Sequence, residues 1–245
     1  MSHVETHSET HGHDEGHHEP PEVVDGRQRM AVWIFILGDV ITLSALLFTY
    51  LYLRGLNVHG HWMSMWGYQG KTYAQYENIA GSSAGLPAPT LIHVKPMSAS
   101  FSWLVTMVTV LSAAVVVMAE RVLRATKNAK TFALLSGLAT IVAIVAIALS
   151  VVQLHHIPAI FSANNDSQVM AYTAYSSVMM IAIGSAMVHV GILAFLGLGL
   201  TIRAYRGVLT GEKWYQARLV RIFWVWVALS AIIVSAVTTT INTIH

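Results

Sequence analysis

An all-α integral membrane bundle of five transmembrane helices, N-terminus inside and C-terminus outside, is the fold class this sequence predicts. Three observations carry that reading. Of 245 residues, 55% are apolar and 11% charged, less than half the charged share of about 25% in an average soluble domain. The apolar residues collect into five runs of the ~20 residues a helix needs to cross a ~30 Å hydrocarbon core. Finally, eleven of the 14 Lys and Arg fall in the segments on one side of those runs, and that side stays in the cytoplasm.

The elements follow in order. Residues 1–25 (MSHVETHSETHGHDEGHHEPPEVVD) hold six His, seven of the twelve acids and no Lys or Arg, so the rest of the chain carries a net +9. With no apolar run and a Pro20-Pro21 pair, residues 1–28 read as a disordered, acidic, His-rich cytoplasmic tail. The tail lacks the basic start and short apolar stretch of a secretory signal, so it is expected to stay on the chain. Residues 29–245 form one membrane domain, with spans at about 30–53, 98–119, 132–152, 171–202 and 222–241. A long outer loop, about 55–97, separates the first two spans. Its Trp62, Trp66, Tyr68, Tyr73, Tyr76, Pro87 and Pro89 suggest an interfacial segment, with room for a short helix. Arg27 and Arg29 precede the first span, Arg121, Arg124, Lys127 and Lys130 separate the second and third, and Arg203, Arg206, Lys213, Arg218 and Arg221 separate the fourth and fifth. An odd number of spans places the termini on opposite faces, in agreement with that tally.

Backbone groups find no water in hydrocarbon, so the spans must be helices. Ala139 with Ala143, and Ala182 with Ala186, give the four-residue spacing of small residues that lets helices approach closely. Trp33, Tyr50, Tyr52, Trp103, Tyr205 and Trp214 fall where amphipathic rings anchor at an interface.

With no cysteine, the chain has no disulfide, thiolate metal site or thiol nucleophile. It has neither a phosphate-binding P-loop nor an H-E-x-x-H zinc motif, and no catalytic triad is expected. The chemistry-bearing residue is Asp39, close to mid-bilayer in IFILGDVITLSALLF. A charge there costs at least about 2.5–3.5 kcal/mol, so such acids pair, face water or mark a functional path. No Lys or Arg lies within a span, which leaves Thr42, Gln153 and His189 as its polar partners. His189 is the one His well inside a span, where a bond to a neighbouring helix is the expected role; catalytic haem–copper centres need several membrane His together. His155, His156, His59, His61 and His93 sit at span ends or in loops. His11, His13, His17 and His18 of the tail form at most a weak Zn²⁺ or Cu²⁺ site. No catalytic, cofactor or firm metal site is expected in this chain.

From about Arg29 to the C-terminus the order of features resembles subunit III of the haem–copper respiratory oxidases, in its five-helix bacterial form. The carrying residues are Gly38-Asp39 in WIFILGDVITLSALLFTYLYL, the proline-flanked, Ser-rich start LPAPTLIHVKPMSASFSWLVTMVTVLSAA, and Gln153 at the end of the third span. The most specific stretch is AYSSVMMIAIGSAMVHVGILAFLGL, where Ser176, Ser177, Gly184, His189 and Val190 match the family pattern. Ala186 and Met187 replace its first His and the following Gly, and the last span, ARLVRIFWVWVALSAIIV, lacks the family's His-Phe-Val-Asp run. The resemblance implies an accessory subunit without a redox centre, bound to subunit I together with subunit II and other membrane subunits. It implies haem and copper in those partners, phospholipid between the helices, no nucleic acid, and support of proton uptake and of the lifetime of subunit I. It places the chain in a bacterial cytoplasmic membrane and gives Asp39 the role of the family's buried acid. Other readings are an accessory subunit of a nitric oxide reductase system, a small proton-coupled transporter relaying through Asp39 and His189, and a structural scaffold.

Overall fold

The computed structural model describes residues 21–55, 64–67, 90–93, 97–156, 174–209 and 214–240. Among them are five helices long and apolar enough to cross a membrane: α1 (Pro21–Gly55), α2 (Ala99–Thr126), α3 (Ala129–His156), α4 (Ala174–Tyr205) and α5 (Trp214–Thr240). Between α1 and α2, strands β1 (Ser64–Gly67) and β2 (Thr90–His93) pair antiparallel, with Ser64 opposite His93 and Gly67 opposite Thr90. The all-helical expectation therefore holds for the membrane body, and the first loop adds this short strand pair, in which Trp66 stands. Short runs rich in aromatic and β-branched residues suit a pleated pair better than one more helix. Trp62, Tyr68, Tyr73 and Tyr76, the middle of that loop with its room for a short helix, and the tail through residue 20 lie outside the described residues.

One correction concerns the tail. Helix α1 begins at Pro21, so residues 21–28 are helical and only the segment before them is left to the tail. Proline suits that first position because its missing N–H would have no partner in the helix and its fixed φ already fits. The other ends are capped by local chemistry. The Ser98 side chain accepts from the Phe101 N–H to start α2. Lys127 takes a left-handed φ of 54° and the Asn128 Oδ1 accepts from the N–H groups of Lys130 and Thr131, so α2 turns into α3 within two residues. Helix α4 closes at Gly207, φ 72°, with the Val208 N–H donating back to the Arg203 carbonyl at 2.9 Å, a turn that glycine adopts without steric cost.

Helices α2, α3, α4 and α5 form a closed ring in which each packs on two neighbours, while α1 lies outside, in the groove between α4 and α5. Only 6% of the apolar stretch of α1 is buried, against 39% of that of α3. Side-chain contacts fix the directions. Phe35 meets Phe223 edge-on at 5.1 Å and the Tyr50 hydroxyl donates to the Thr238 carbonyl at 3.5 Å, so α1 and α5 run parallel. Trp224 bonds Ser112 and Ser235 bonds Thr106, so α2 and α5 run antiparallel. The starts of α1, α3 and α5 thus share one end with the finishes of α2 and α4. Arg27, Arg29, Arg121, Arg124, Lys127, Lys130, Arg203, Arg206, Arg218 and Arg221 gather at that end.

Small side chains make the ring tight. Ala139, Ala143 and Ala146 on α3 are wholly buried, as the four-residue spacing predicts, and Ala182 on α4 is nearly so. At Gly197 a Cβ would collide with the Thr140 hydroxyl and come within 2.8 Å of the Trp224 ring. Glycine there lets α4 approach α3 and α5 together. Large apolar side chains such as Leu134, Ile141 and Phe195 point outward. Among the expected interfacial rings, Trp33, Tyr52 and Tyr205 are exposed, but Tyr50 is 1% exposed and packs with Tyr175, Val178, Met179 and Ile183. Its hydroxyl reaches a carbonyl on α5, so the ring settles inside the protein and not at the interface. Trp214 lies between two guanidinium groups, Arg124 at 5.1 Å and Arg218 at 5.6 Å, and ties the basic ends of α2 and α5 together.

Candidate functional site

Asp39 stands midway along α1, on the side that faces α4 and α5. Its Oδ1 lies 2.9 Å from His189 Nε2 and its Oδ2 accepts from the Trp226 Nε1–H at 2.5 Å. Three helices thus meet on one carboxyl group. Of the three partners expected for it, His189 is the one found. Thr42, one turn on, donates instead to the Gly38 carbonyl, and Gln153 is engaged elsewhere. Thr42 still lines the small cavity beside the pair, with Ser185 and Ser230.

The hydrogen-bond pattern assigns the protons. His189 Nδ1 lies 2.7 Å from the Ser185 carbonyl, and a carbonyl can only accept, so Nδ1 carries hydrogen. The contact between Nε2 and Oδ1 then holds one proton, either on the imidazole or on the carboxyl group. Asp39 and His189 form a unit that shares that proton and is neutral overall in both arrangements. The Trp226 N–H satisfies the second oxygen in either case. Phe35 and Phe223 close the side of the unit toward the basic end; the His189 and Phe223 ring centres are 6.4 Å apart.

The other expected residues lie apart from this unit. Gln153 is buried at the far end of α3, where its Nε2 donates to the Ser102 hydroxyl and to the Met97 sulfur, both at 3.0 Å. It joins α3 to the start of α2. Ser177 is half-buried in the first turns of α4. Ser176 lies in the same helix, and its side chain falls outside the described residues, as do His11, His13, His17 and His18. Among the described residues, no three His, Asp or Glu side chains come together as a metal site would require.

Two features escaped the sequence reading. Glu120, 2% exposed, forms an ion pair with Arg221 at 3.1 Å across α2 and α5. The signal was there, one acid at the end of a span within a cluster of cations, but the orientation tally counts only Lys and Arg. Trp226, in the last span, is a donor that no motif in the sequence singles out. In addition, Gly81-Ser82-Ser83-Ala84-Gly85 spells the letters of the G-x-S-x-G nucleophile turn. That pattern has meaning only between a strand and a helix, and it lies outside the described residues.

Compared with known proteins, the chain matches no protein-family model and no curated protein.

Proposed function

We propose that this chain is an accessory, non-redox subunit of a haem–copper terminal oxidase in a bacterial cytoplasmic membrane, bound to subunit I beside subunit II. The observation that carries the reading is the contact of Asp39 with His189. The two residues come from separate stretches that resemble subunit III, on different helices, and they meet at 2.9 Å. Two further features support it. The outward face of α1, with Met30, Trp33, Ile34, Leu37, Ile41 and Phe48 exposed, offers a broad apolar surface to a membrane partner. A groove of about 380 Å³ between α1, α4 and α5, lined by apolar residues including Val32, Phe35 and Leu196, is in the size range of ligand sites and suits a phospholipid chain. By the positive-inside rule the basic end, with the N-terminus, faces the cytoplasm. Haem, copper and oxygen chemistry belong to the partner subunits. This chain contributes packing, lipid and a titratable pair at mid-membrane.

The test is purification in mild detergent through a tag on this chain, followed by an optical difference spectrum and mass spectrometry. Haem bands with subunits I and II are the expected result, and the spectrum together with the partner's identity separates an oxidase from a nitric oxide reductase system. A colourless, solitary protein would overturn the proposal. The second reading, a proton-coupled transporter, is favoured by one observation: the Asp39–His189 pair borders a cavity inside the membrane body. It requires the isolated chain in liposomes to couple solute movement to a pH gradient, whereas an accessory subunit alone does neither.

A further inference from the structure

The interior of the helical ring is unusually rich in hydroxyl groups. Ser102, Thr106, Thr109, Ser150 and Ser235 are all buried, as is Gln153. All six line one cavity of about 50 Å³. A second cavity, of about 40 Å³, is lined by Asp39, Thr42, Ser185, His189 and Ser230. The two share a wall made of Ala182, Ala186, Ser230, Ala231 and Val234, which small residues keep thin.

Each cavity has room for about three water molecules, since one water needs roughly 10–15 Å³. Each also has the polar partners that decide whether such a space is wet or dry. The hydroxyls of Thr109, Ser150 and Ser230 donate to carbonyls of their own helices, at 3.0, 2.8 and 2.9 Å, and so keep lone pairs that accept from water. The larger cavity reaches the end of the bundle where α2 begins, because Ser102 and Gln153 lie one turn from the ends of their helices and Met97 precedes the cap. In the other direction Ile36, Leu193, Phe223, Trp224 and Val227 pack as one cluster. The buried polar side chains on that side, Ser112, Ser136, Thr140 and Glu120, are bonded to protein partners and line neither cavity.

We propose that the two cavities hold a continuous file of water, and that this file is a one-sided proton path from the α2-start end of the bundle to the Asp39–His189 pair. A proton arriving along it adds to the pair, which then carries imidazolium beside a neutral carboxyl group and a charge of +1. The reverse step returns the proton to the same side. The groups facing the pair are Thr42 on α1, Ser185 on α4 and Trp226 and Ser230 on α5. Among the described residues no Lys or Arg lines either cavity. The inference rests on the cavities and holds or fails apart from the oxidase reading.

The test uses the full chain in lipid nanodiscs. Radiolytic hydroxyl-radical footprinting oxidises side chains beside bound water. Met179 lines the larger cavity and is 1% exposed, whereas Met107 and Met118 point outward toward lipid. Met179 is expected to oxidise several-fold faster than the other two; equal or slower oxidation would overturn the proposal. A second readout is magnetisation transfer from water to the His189 ring nitrogens in protein labelled with ¹⁵N-histidine, assigned by loss of the signal in His189→Asn. Strong transfer is expected in the unaltered chain, and its absence would refute the path. Ser230→Leu, in the shared wall, and Thr106→Leu, in the larger cavity and remote from His189, should both weaken the transfer several-fold. Loss with Ser230→Leu but not with Thr106→Leu would show that water reaches the pair by another route and would overturn the path.

Discussion

Replacing Asp39 with leucine removes two links between helices at once, the bond to Trp226 on α5 and the contact with His189 on α4. In a bilayer one such link averages about 0.6 kcal/mol and reaches about 1.7. The pair together is therefore worth about 1 to 3 kcal/mol, and α1, so little buried, has few other contacts to replace it. Asp39→Asn behaves differently. Its amide oxygen accepts from Trp226, and its NH₂ donates to His189 Nε2, whose lone pair is free because the ring hydrogen sits on Nδ1. Asp39→Asn is thus expected within about 0.5 kcal/mol of the unaltered protein, since both hydrogen bonds persist. Equilibrium unfolding by SDS in mixed micelles, followed by tryptophan fluorescence, measures both, and a double-mutant cycle with Trp226→Phe isolates one link. The reasoning fails if Asp39→Leu is as stable as the parent, or if Asp39→Asn is as damaging as Asp39→Leu.

The same unfolding assay checks three further expectations. Glu120→Ala strands Arg221 and should cost about 1 to 3 kcal/mol, below the 3 to 5 of a fully buried pair because Arg221 is 29% exposed; adding Arg221→Met should recover part of that loss. Gly197→Val drives side-chain atoms into Thr140 and Trp224 and should cost about 1 to 3 kcal/mol or more, whereas Gly199→Ala, with open space around it, should be neutral or gain up to about 1 kcal/mol in helix propensity. Ser112→Ala leaves the buried Trp224 N–H without its acceptor and should cost about 1 to 3 kcal/mol, a loss that Trp224→Phe in the same background should partly relieve.

Much of the fold was legible because the bilayer enforces it. Length and apolarity marked all five spans, and Asp39 and His189 stood out as the polar residues inside them. What stayed hidden was rotation. Helices α3 and α4 are apolar all round, so no stripe of hydrophobicity tells which face looks inward. The inward faces are marked instead by small and hydroxyl-bearing residues, Ala139, Ala143 and Ala146 on α3 and Ser102, Thr106 and Thr109 on α2. Trp226 and Glu120 were hidden because each matters through a partner on another helix. Tyr50 was misread because proximity to a span end predicts an interfacial ring only when no neighbouring helix covers it. The start of α1 at Pro21 was missed because the composition of the tail outweighed the fit of proline to a first helical turn.

The position of α1 also sets an order of events during synthesis. Of the five helices α1 emerges first, yet the partners of its carboxyl group lie on α4 and α5, and Trp226 follows Asp39 by 187 residues. At the roughly 5–20 residues per second of a ribosome, Asp39 waits about 10 to 40 s before its second partner exists. During that interval the ring of α2 to α5 has not closed, and until α4 brings His189 the acid on α1 has neither of its partners. Newborn chains halted before α5 should therefore hold α1 loosely and expose it to membrane quality control, so the fifth of these helices secures the first.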